Sequence, residues 1–467
     1  MVWKDRTMAN FPSDFRWGAA TAAYQIEGGA REGGRGLSIW DTFSHTPGKT
    51  ANGDTGDVAC DHFHLWESDI AMMKGLGLKH YRMSLSWSRL FPNGDGVRNE
   101  EGFKFYDNLI NGLIAAGIQP LVTLYHWDLP QALQEKGGWE NREIVDDFGK
   151  YAAAVAEHFG DRVKNFSPIN EPWCVAWLGY GIGVFAPGFR DRAKAFRVAH
   201  HTVMAHATSV KVMKEVRSDL KIGPVINQSN YVPDDLNNPE LVHAADVMDA
   251  QGNRWWTDAF FHGKYPEVLI KEFGSEVTDA ILPGDMELAS IKNDFVGLNF
   301  YNDQRIGIAE PDAEGWYDIS ALFGLKINTK HEGELTDMGW PITPHGLKNL
   351  LLRWKRELGE RCPDFYITEN GCAYPEQPDA DGNVKDDRRI SYLNKHLNAV
   401  SEAIAEGAPV KGYYQWSLMD NYEWAMGYEK RFGMVHVDYA TQKRTLKDSA
   451  KWYSQVIASN GATVTGH

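Results

Sequence analysis

The sequence predicts an α/β protein, a single (β/α)8 TIM barrel that spans residues 1–467, and three observations lead to this prediction. Short apolar runs alternate with longer stretches whose apolar residues recur at helical spacing. The alternation repeats eight times, without a change in composition that would mark a linker. Polar residues gather where the apolar runs end, and a barrel brings the carboxyl ends of its strands together at one mouth.

The first half of the chain contains four strand–helix units. A strand of small residues ends in the polar pair Gln25 and Glu27, and a Gly-rich loop follows it. Glycines at 75, 77 and 117 end the first two helices, because glycine adopts the backbone that closes a helix. The predicted strands are residues 15–28, 80–87, 119–127 and 165–171, and the apolar helix faces lie within 65–76, 103–113, 144–159 and 192–216.

The second half repeats the pattern. Aromatic and β-branched residues form the run at 365–368, which is typical of a short buried strand. The paired Trp255 and Trp256 lie in a helical stretch, which favours packing over sugar binding. The predicted strands are residues 221–227, 294–301, 365–371 and 410–418, and helices cover 347–358, 390–404 and 448–457.

Two of the predicted strands end in a glutamate. The run 365–368 leads into Glu369, and Gly371 supplies the backbone freedom to leave the strand. Glu171 follows another apolar approach and precedes Pro172. A carboxylate at the mouth of a buried strand is costly unless it is used. Glycoside hydrolysis requires two carboxylates, one as nucleophile and one as proton donor, so the pair predicts a glycoside-cleaving site.

Other polar and aromatic side chains fall at the same ends of the predicted strands. Each short motif is weak alone, because Asn-Glu-Pro and Glu-Asn-Gly also occur in ordinary turns. Their common position is the informative feature, because unrelated polar residues would be scattered over both ends of the barrel. The residues at these strand ends are Gln25, His126, Asn170, Glu171, Asn299, Tyr301, Glu369 and Trp416.

Composition excludes several classes of partner. The net charge of −15 opposes nucleic-acid binding, which needs clustered Lys and Arg. No apolar run is long enough to cross a bilayer, and residues 1–8 lack the apolar core of a signal peptide. The four cysteines have neither metal-ligand spacing nor a disulfide framework. We therefore expect a cytoplasmic protein that binds neither nucleic acid nor membranes.

Three further motifs suggest cofactors but are weak. Residues 181–186 fit G-x-G-x-x-A without a preceding strand or a following helix. Residues 379–383 place their glycine too early for an EF-hand. Residues 61–64, Asp-His-Phe-His, lack a third ligand in register. We expect no metal and no other cofactor.

The chain resembles family 1 of the glycoside hydrolases, the β-glucosidase family, over nearly its whole length. Motifs that carry the resemblance include Tyr-His-Trp-Asp-Leu-Pro at 125–130, Asn-Glu-Pro at 170–172 and Ile-Thr-Glu-Asn-Gly at 367–371. The other matching stretches are residues 17–28, 57–87, 297–301, 416–424 and 430–433.

The resemblance implies a retaining exo-β-glycosidase, in first place a β-glucosidase. Such an enzyme removes terminal β-D-glucosyl residues from cello-oligosaccharides or aryl and alkyl β-glucosides through a covalent glycosyl-enzyme. β-Galactosides and β-fucosides are candidate secondary substrates. The expected partner is thus a small-molecule β-glucoside, and whether the chain forms a homo-oligomer is left open.

The family's functional residues can be carried over position by position. Glu369 matches the nucleophile, Glu171 matches the general acid/base, and Arg82 and Tyr301 match the groups that stabilise the nucleophile's charge. The matching substrate-binding residues are Gln25, His126, Trp127, Asn170, Asn299, Trp416, Glu423, Trp424 and Phe432. The matching residues on the aglycone side are Trp173, Leu178, Phe185 and Trp340.

Residues that differ between branches of the family narrow the range of substrates expected for this chain. Glu423 stands where relatives that cleave 6-phosphorylated sugars carry a small hydroxyl residue, and an anion there would repel phosphate. Glu171 stands where plant thioglucosidases carry Gln.

Pro168 lacks a backbone donor within a predicted central strand, which is unusual. Phe185 replaces a His common in relatives and makes the aglycone side more apolar.

Two alternatives remain at this point. The same barrel could be a non-catalytic sugar-binding or scaffold protein, although both carboxylates are present. The enzyme could also transfer glycosyl groups to alcohols or sugars in preference to water, which the apolar aglycone side would favour. Activity on an aryl β-glucoside would distinguish an enzyme from the first alternative. Product analysis at high acceptor concentration would distinguish a hydrolase from the second.

Overall fold

The structure is a computed structural model that describes residues 9–308, 319–325, 327–330 and 333–465. Residues 1–8, on which we base the prediction that a signal peptide is absent, lie outside the described residues. Within those ranges, no helix combines the length and the apolar composition needed for a membrane span.

Eight parallel strands form a closed barrel, as predicted. Neighbours in sequence are neighbours in the sheet, and the last strand pairs with the first, with Arg16 opposite Gly412 and Ala20 opposite Trp416. The strands are β1 Arg16–Ala20, β2 His80–Ser84, β3 Gln119–Tyr125, β4 Asn165–Ile169, β5 Lys221–Ile222 with Val225–Asn227, β6 Phe295–Asn299, β7 Asp364–Asn370 and β8 Val410–Trp416.

The fifth strand is broken, where the sequence predicts one continuous strand. Its first part pairs with β4 and its second part pairs with β6. Pro224 has no amide hydrogen to donate, and a side chain at Gly223 would lie 2.1 Å from the Phe295 carbonyl oxygen. Pro168 lies opposite this break, between the β4–β5 contacts at Phe166 and Glu171, which explains how β4 tolerates it.

Long helices follow the strands and cover the outside of the barrel. Their apolar faces are buried as predicted; Phe103, Leu109 and Leu113 of one helix are examples. In chain order they are His62–Gly75, Glu100–Ala115, Ile144–Phe159, Arg192–Val216, Pro239–Asp249 continued by Ala250–Arg254 and Trp255–His262, Pro344–Leu358, Asp387–Ala405 and Asp448–Ala458.

Shorter elements occupy the connections, mostly around the mouth of the barrel. Short helices and turns are Ala23–Ile26, Ile39–Ser44, Ala51–Gly53, Trp87–Leu90, Gln131–Gln134, Gly138–Glu140, Cys174–Gly181, Glu267–Phe273, Ser275–Thr278, Asp285–Ala289, Ile319–Leu322, Gly359–Arg361 and Trp424–Met426. Two small sheets are added: Tyr231–Pro233 with Gln304–Ile308 and Ile327–Lys330, and Val435–Asp438 with Lys443–Leu446.

The interior of the barrel changes from apolar to polar towards its mouth. Leu121, Phe295, Tyr366 and Tyr414 form a small apolar cluster inside it, separate from the larger core between strands and helices. One prediction is wrong in detail: β1 ends at Ala20, and Gln25 lies in the helix Ala23–Ile26. Gln25 therefore reaches the mouth from a connection, not from a strand end.

Candidate active site

The register of the sheet brings the two predicted carboxylates to one level of the barrel. Glu369 on β7 is paired with Asn299 on β6, and Asn170 bridges to Val225 of β5. The β7 register shifts between Ile367 and Glu369 relative to β6. Regular alternation would send successive side chains to opposite faces, so this irregularity lets neighbouring polar side chains share the mouth.

Glu369 is held by two donors. Arg82 Nη1 donates to Oε1 at 2.5 Å, and the Tyr301 hydroxyl donates to Oε2 at 2.8 Å. Both carboxylate and guanidinium are buried, with exposed fractions of 3% and 0%. Charge-assisted bonds of this kind hold the carboxylate in one orientation, which a nucleophile needs.

Arg82 also orders the amides between the carboxylates. Its Nη2 donates to Asn170 Oδ1 at 2.6 Å, and Asn299 Nδ2 donates to the same oxygen at 3.1 Å. The amide nitrogen of Asn170 then lies 3.1 Å from His126 Nε2, which must accept. Burial, and then the charge of Arg82, lowers the pKa of His126 well below its usual value, so this imidazole is neutral.

Glu171 leaves β4 with a left-handed backbone, at φ 43°, and its side chain is buried. Asn299 Nδ2 donates to its Oε1 at 2.7 Å, and Cys174 Sγ donates to its Oε2 at 3.1 Å. Burial, and then the negative charge of Glu369, raises the pKa of Glu171 to about 8 against the opposing effects of its donors. The two carboxyl groups thus differ in environment: Glu369 is held by a guanidinium and a hydroxyl, whereas Glu171 has a raised pKa that favours its protonated form.

A third carboxyl group lies close to this pair. Burial, and then the charges of Glu369 and Glu171, raises the pKa of Glu423 to about 8. Glu423 is therefore mostly protonated at neutral pH in the absence of substrate. The argument from sequence against phosphorylated sugars assumes an anion here, and the raised pKa reduces the charge on which that argument depends at neutral pH.

Gln25 connects the segment after β1 to the segment after β8. Its Nε2 donates to Asn421 Oδ1 at 3.0 Å and to the Tyr422 carbonyl at 2.8 Å, and lies 3.5 Å from Glu423 Oε2. These contacts tie Glu423 to the segment that follows the neighbouring strand β1.

Aromatic rings wall one side of the mouth. Trp424 lies 4.8 Å from Trp127 and 6.1 Å from the nearly parallel His126, and Trp416 stacks on His126 at 5.9 Å. Phe185 lies half-buried, 5.4 Å from Trp127. Trp127 and Trp424 both have left-handed backbones, with φ of 81° and 57°, which is strained for a bulky residue.

A second aromatic group lies on the side of Glu369. Tyr301 is 5.3 Å from Trp340 and 6.1 Å from Phe432.

Trp173, half-buried, donates from Nε1 to Gln251 Oε1 at 2.7 Å. Leu178 is placed in the apolar core, within the helix Cys174–Gly181, so its predicted position on the aglycone side has the least structural support.

Three residues of the site were not anticipated from the sequence. Cys174 contacts Glu171, Asn421 contacts Gln25, and the Thr368 hydroxyl donates to Asn299 Oδ1 at 2.7 Å. The spacing of three residues between Glu171 and Cys174, at the start of a helix, was the available signal for the thiol. No signal in the sequence pointed to Asn421, because its partner Gln25 lies nearly four hundred positions away in the chain.

The weak cofactor motifs have structural roles. His62 Nδ1 lies 2.8 Å from Asp69 Oδ2, and Asp69 also pairs with Arg444. Asp379 accepts from the amides of Asp381 and Asn383, as in an ordinary turn. Among the described residues, no group of three or more His, Cys, Asp or Glu side chains is arranged to hold a metal ion.

Comparisons with known proteins point in one direction. The sequence profile of Glycosyl hydrolase family 1 matches residues 7–462. Beta-glucosidase A of Thermotoga maritima is 47% identical, covering 97% of this chain and 98% of the relative. The bifunctional beta-D-glucosidase/beta-D-fucosidase of Bifidobacterium breve is 41% identical, covering 97% and 99%. The solved Family 1 b-glucosidase from Thermotoga maritima in complex with isofagomine lactam aligns with a TM-score of 0.91 at 46% identity, covering 97% and 100%.

Proposed function

The chain belongs to glycosyl hydrolase family 1, and from that premise we infer that it is a β-glucosidase that hydrolyses terminal β-D-glucosyl residues with retention of configuration. The observation that carries this inference is the pair Glu171 and Glu369, two buried carboxyl groups in opposed environments, joined through Arg82, Asn170 and Asn299. A retaining glycosidase needs such a pair.

In the first step, we propose that the Glu369 carboxylate attacks the anomeric carbon. The bond from that carbon to the glycosidic oxygen breaks, its electron pair passes to the oxygen, and Glu171 donates its proton there. Arg82 and Tyr301 hold the Glu369 side chain oriented before the attack. The product is a glycosyl ester on Glu369 and a free aglycone alcohol.

In the second step, Glu171 serves as the base. Once Glu369 is an ester its negative charge is gone, and that charge is one of the two causes that raise the pKa of Glu171. The pKa of Glu171 falls, so its carboxylate takes a proton from water while the water oxygen attacks the anomeric carbon. The ester bond breaks, Glu369 leaves as a carboxylate, and the sugar is released with its original configuration.

Glucose recognition is proposed to use the polar side chains around this pair. Gln25, His126 and Glu423 would hydrogen-bond the sugar hydroxyls, and Asn170 would bind the 2-hydroxyl, beside the reacting carbon. Trp416 and Trp424 would supply the apolar face for the ring. Activity on β-fucosides is proposed as a secondary property, since a relative with 41% identity bears a name that includes it.

The decisive experiment assigns the two carboxyl groups separately. Glu369→Gly should abolish hydrolysis of every β-glucoside, because no ester can form. Glu171→Ala should retain cleavage of an activated aryl glucoside relative to a poor leaving group, and azide should rescue it by attacking the glycosyl-enzyme without a base. NMR of the first product should detect the β-anomer. Release of the α-anomer, or equal losses on both substrates in Glu171→Ala, would contradict the mechanism.

We also propose a cytoplasmic location and a small-molecule β-glucoside as the partner. All four cysteines are free thiols, which suits a reducing compartment. Fractionation of the native cells followed by an activity assay would test the location. Residues 1–467 are proposed to act as one catalytic domain, and activity of the isolated full chain would test that.

A further inference from the structure

The hydrogen bonds around Glu171 have a direction that the structure determines. Arg82 can only donate, so Asn170 presents Oδ1 to it at 2.6 Å. Asn299 lies 3.1 Å from the same Oδ1 and must therefore present its NH2 group. Thr368 satisfies the remaining Oδ1 of Asn299 at 2.7 Å. The amide that meets Glu171 Oε1 at 2.7 Å is thus a fixed donor.

This direction distinguishes the two oxygens of Glu171. Oε1 accepts from the NH2 group of Asn299, which has no lone pair with which to accept a proton carried on Oε1. Oε1 therefore remains the carbonyl oxygen, and the proton that moves in catalysis belongs on Oε2. The neighbour of Oε2 is Cys174 Sγ, at 3.1 Å.

A thiol at this position can respond to the proton, whereas an amide cannot. The S–H group rotates freely about its bond to carbon and can donate to a carboxylate oxygen, while the sulfur can accept weakly from a hydroxyl. Cys174 is held in place, since it is buried and its amide donates to the Glu171 carbonyl at 2.9 Å. Burial, and then the charge of Glu171, raises the pKa of Cys174 well above its usual value, so the thiol keeps its hydrogen.

We propose that Cys174 is a positioning residue for the acid/base. Its thiol donates to Oε2 when Glu171 is a carboxylate and turns away when Oε2 carries the proton, so that Glu171 can alternate between acid and base on one oxygen. This inference rests on the proposed role of Glu171. It assigns a function to a side chain that contacts neither the nucleophile nor any other described residue of the sugar pocket through a hydrogen bond.

Other charged groups also act on Glu171 and must stay constant in a test. Glu369 on β7 raises its pKa and Arg82 on β2 lowers it, while Tyr301 and Glu423 interact with it from the mouth. None of these groups hydrogen-bonds Cys174 in the part of the chain that the structure describes. Replacing the thiol therefore changes one donor and leaves the surrounding charges in place.

The test measures how kcat/KM and kcat fall on the alkaline and acidic sides of their pH profiles, which we call the alkaline and acidic limbs. The alkaline limb of kcat/KM on a poor leaving group reports the loss of protons from Glu171 and Glu423 in the free enzyme, and only Glu171 of these two is bonded to Cys174, so a shift between wild type and variant reports Glu171. The acidic limb of kcat on an activated aryl glucoside, where hydrolysis of the ester is rate-limiting, reports protonation of the same group in the glycosyl-enzyme.

Cys174→Ala removes a donor to the carboxylate, so both limbs should move upward by about half to one pH unit. Cys174→Ser, whose hydroxyl can donate or accept, should move them less. The matched control is Cys60→Ala, which truncates another buried thiol that donates to the Asp420 carbonyl and should leave both limbs in place. A purely structural role for Cys174 would lower the plateaus without moving the limbs.

Infrared spectroscopy provides a second readout that does not depend on turnover. The S–H stretching band that disappears in Cys174→Ala should change frequency in the wild-type enzyme across the pH range of the alkaline limb. The inference would be overturned if both limbs stayed at their wild-type pH in both Cys174 variants, or if the frequency of the S–H band did not change with pH.

A further variant separates this outcome from failure of the proposed function. If Glu171→Gln still cleaves poor leaving groups, the role of Glu171 itself is wrong. If Glu171→Gln loses that activity while the limbs of the Cys174 variants stay in place, only the role of the thiol is wrong.

Discussion

Asp128 is a carboxyl group whose burial should limit the stability of this enzyme at alkaline pH. It directly follows Trp127 at the end of β3, and its exposed fraction is 0%. Within the described residues, neither of its carboxyl oxygens has a hydrogen-bond partner of ordinary length. Arg35, the cation whose charge acts on Asp128, is already paired with Asp41 at 2.9 Å. An ionised Asp128 is therefore poorly compensated.

The size of the effect follows from the pKa of this group. Burial raises the pKa of Asp128 from 3.8 to about 7, with Arg35 and Ser86 opposing the shift and Glu27 adding to it. At about 1.36 kcal/mol per pKa unit, the difference is about 4 kcal/mol. The folded state binds the proton more tightly, so this contribution is fully present below pH 3.8, falls as the pH rises, and is lost above pH 7.

Asp128→Asn removes this titration and preserves the shape of the protonated side chain. The variant should match the wild type near pH 4 and exceed its free energy of unfolding increasingly at higher pH. Between pH 5 and pH 8 the difference should grow by about 2 to 3 kcal/mol. The assay is denaturant unfolding or calorimetry of both proteins over that range, at constant ionic strength.

Asp14→Asn is the matched control, since Asp14 is exposed. Because this side chain is exposed, Asp14→Asn should differ little from the wild type in its free energy of unfolding. A pH-independent difference for Asp128→Asn, or a variant that is less stable than the wild type at pH 8, would refute the reasoning. Carboxyl groups remote from Asp128 contribute alike to both proteins and cancel in the comparison.

Two further predictions concern the catalytic groups. The pKa of Glu171 is raised to about 8, and the acid must carry its proton to act. The value of kcat/KM on a poor leaving group should therefore be constant at neutral pH and fall above about pH 8. A decline that begins near pH 5 would contradict this assignment. Tyr301→Phe removes the hydroxyl that donates to Glu369 Oε2, so kcat/KM should fall roughly 10- to 100-fold with little change in Tm, and an unchanged kcat/KM would show that Arg82 alone is sufficient.

Periodicity and turn residues were enough to predict the barrel. Eight alternating units leave few other ways to bury eight apolar runs, because parallel strands need helical crossovers and a barrel removes exposed edges. The predicted helix Arg192–Val216 has the bounds found in the structure. The exceptions were local: β1 stops before Gln25, and β5 breaks at Gly223 and Pro224. Such details depend on close approach between neighbouring strands, which periodicity does not record.

The composition of the site was largely predictable, whereas its protonation was not. Motifs at strand ends identified Glu171, Glu369 and their polar neighbours, because the carboxyl ends of barrel strands converge. The same motifs led to an ionised Glu423, whereas burial beside two other carboxyl groups raises its pKa to about 8. A pKa depends on distances and desolvation, and both exist only after folding.

The sequence by itself determined the family, the barrel and the two carboxyl groups, because each depends on residue type and on spacing along the chain. Only the tertiary structure decided how the groups act on one another. It made Asn299 a fixed donor to one oxygen of Glu171, placed a thiol at the other, and buried Asp128 with no described residue in a hydrogen bond of ordinary length to its carboxyl oxygens. Hydrogen-bond direction and desolvation arise from contacts between residues far apart in sequence, so they can be determined only in three dimensions.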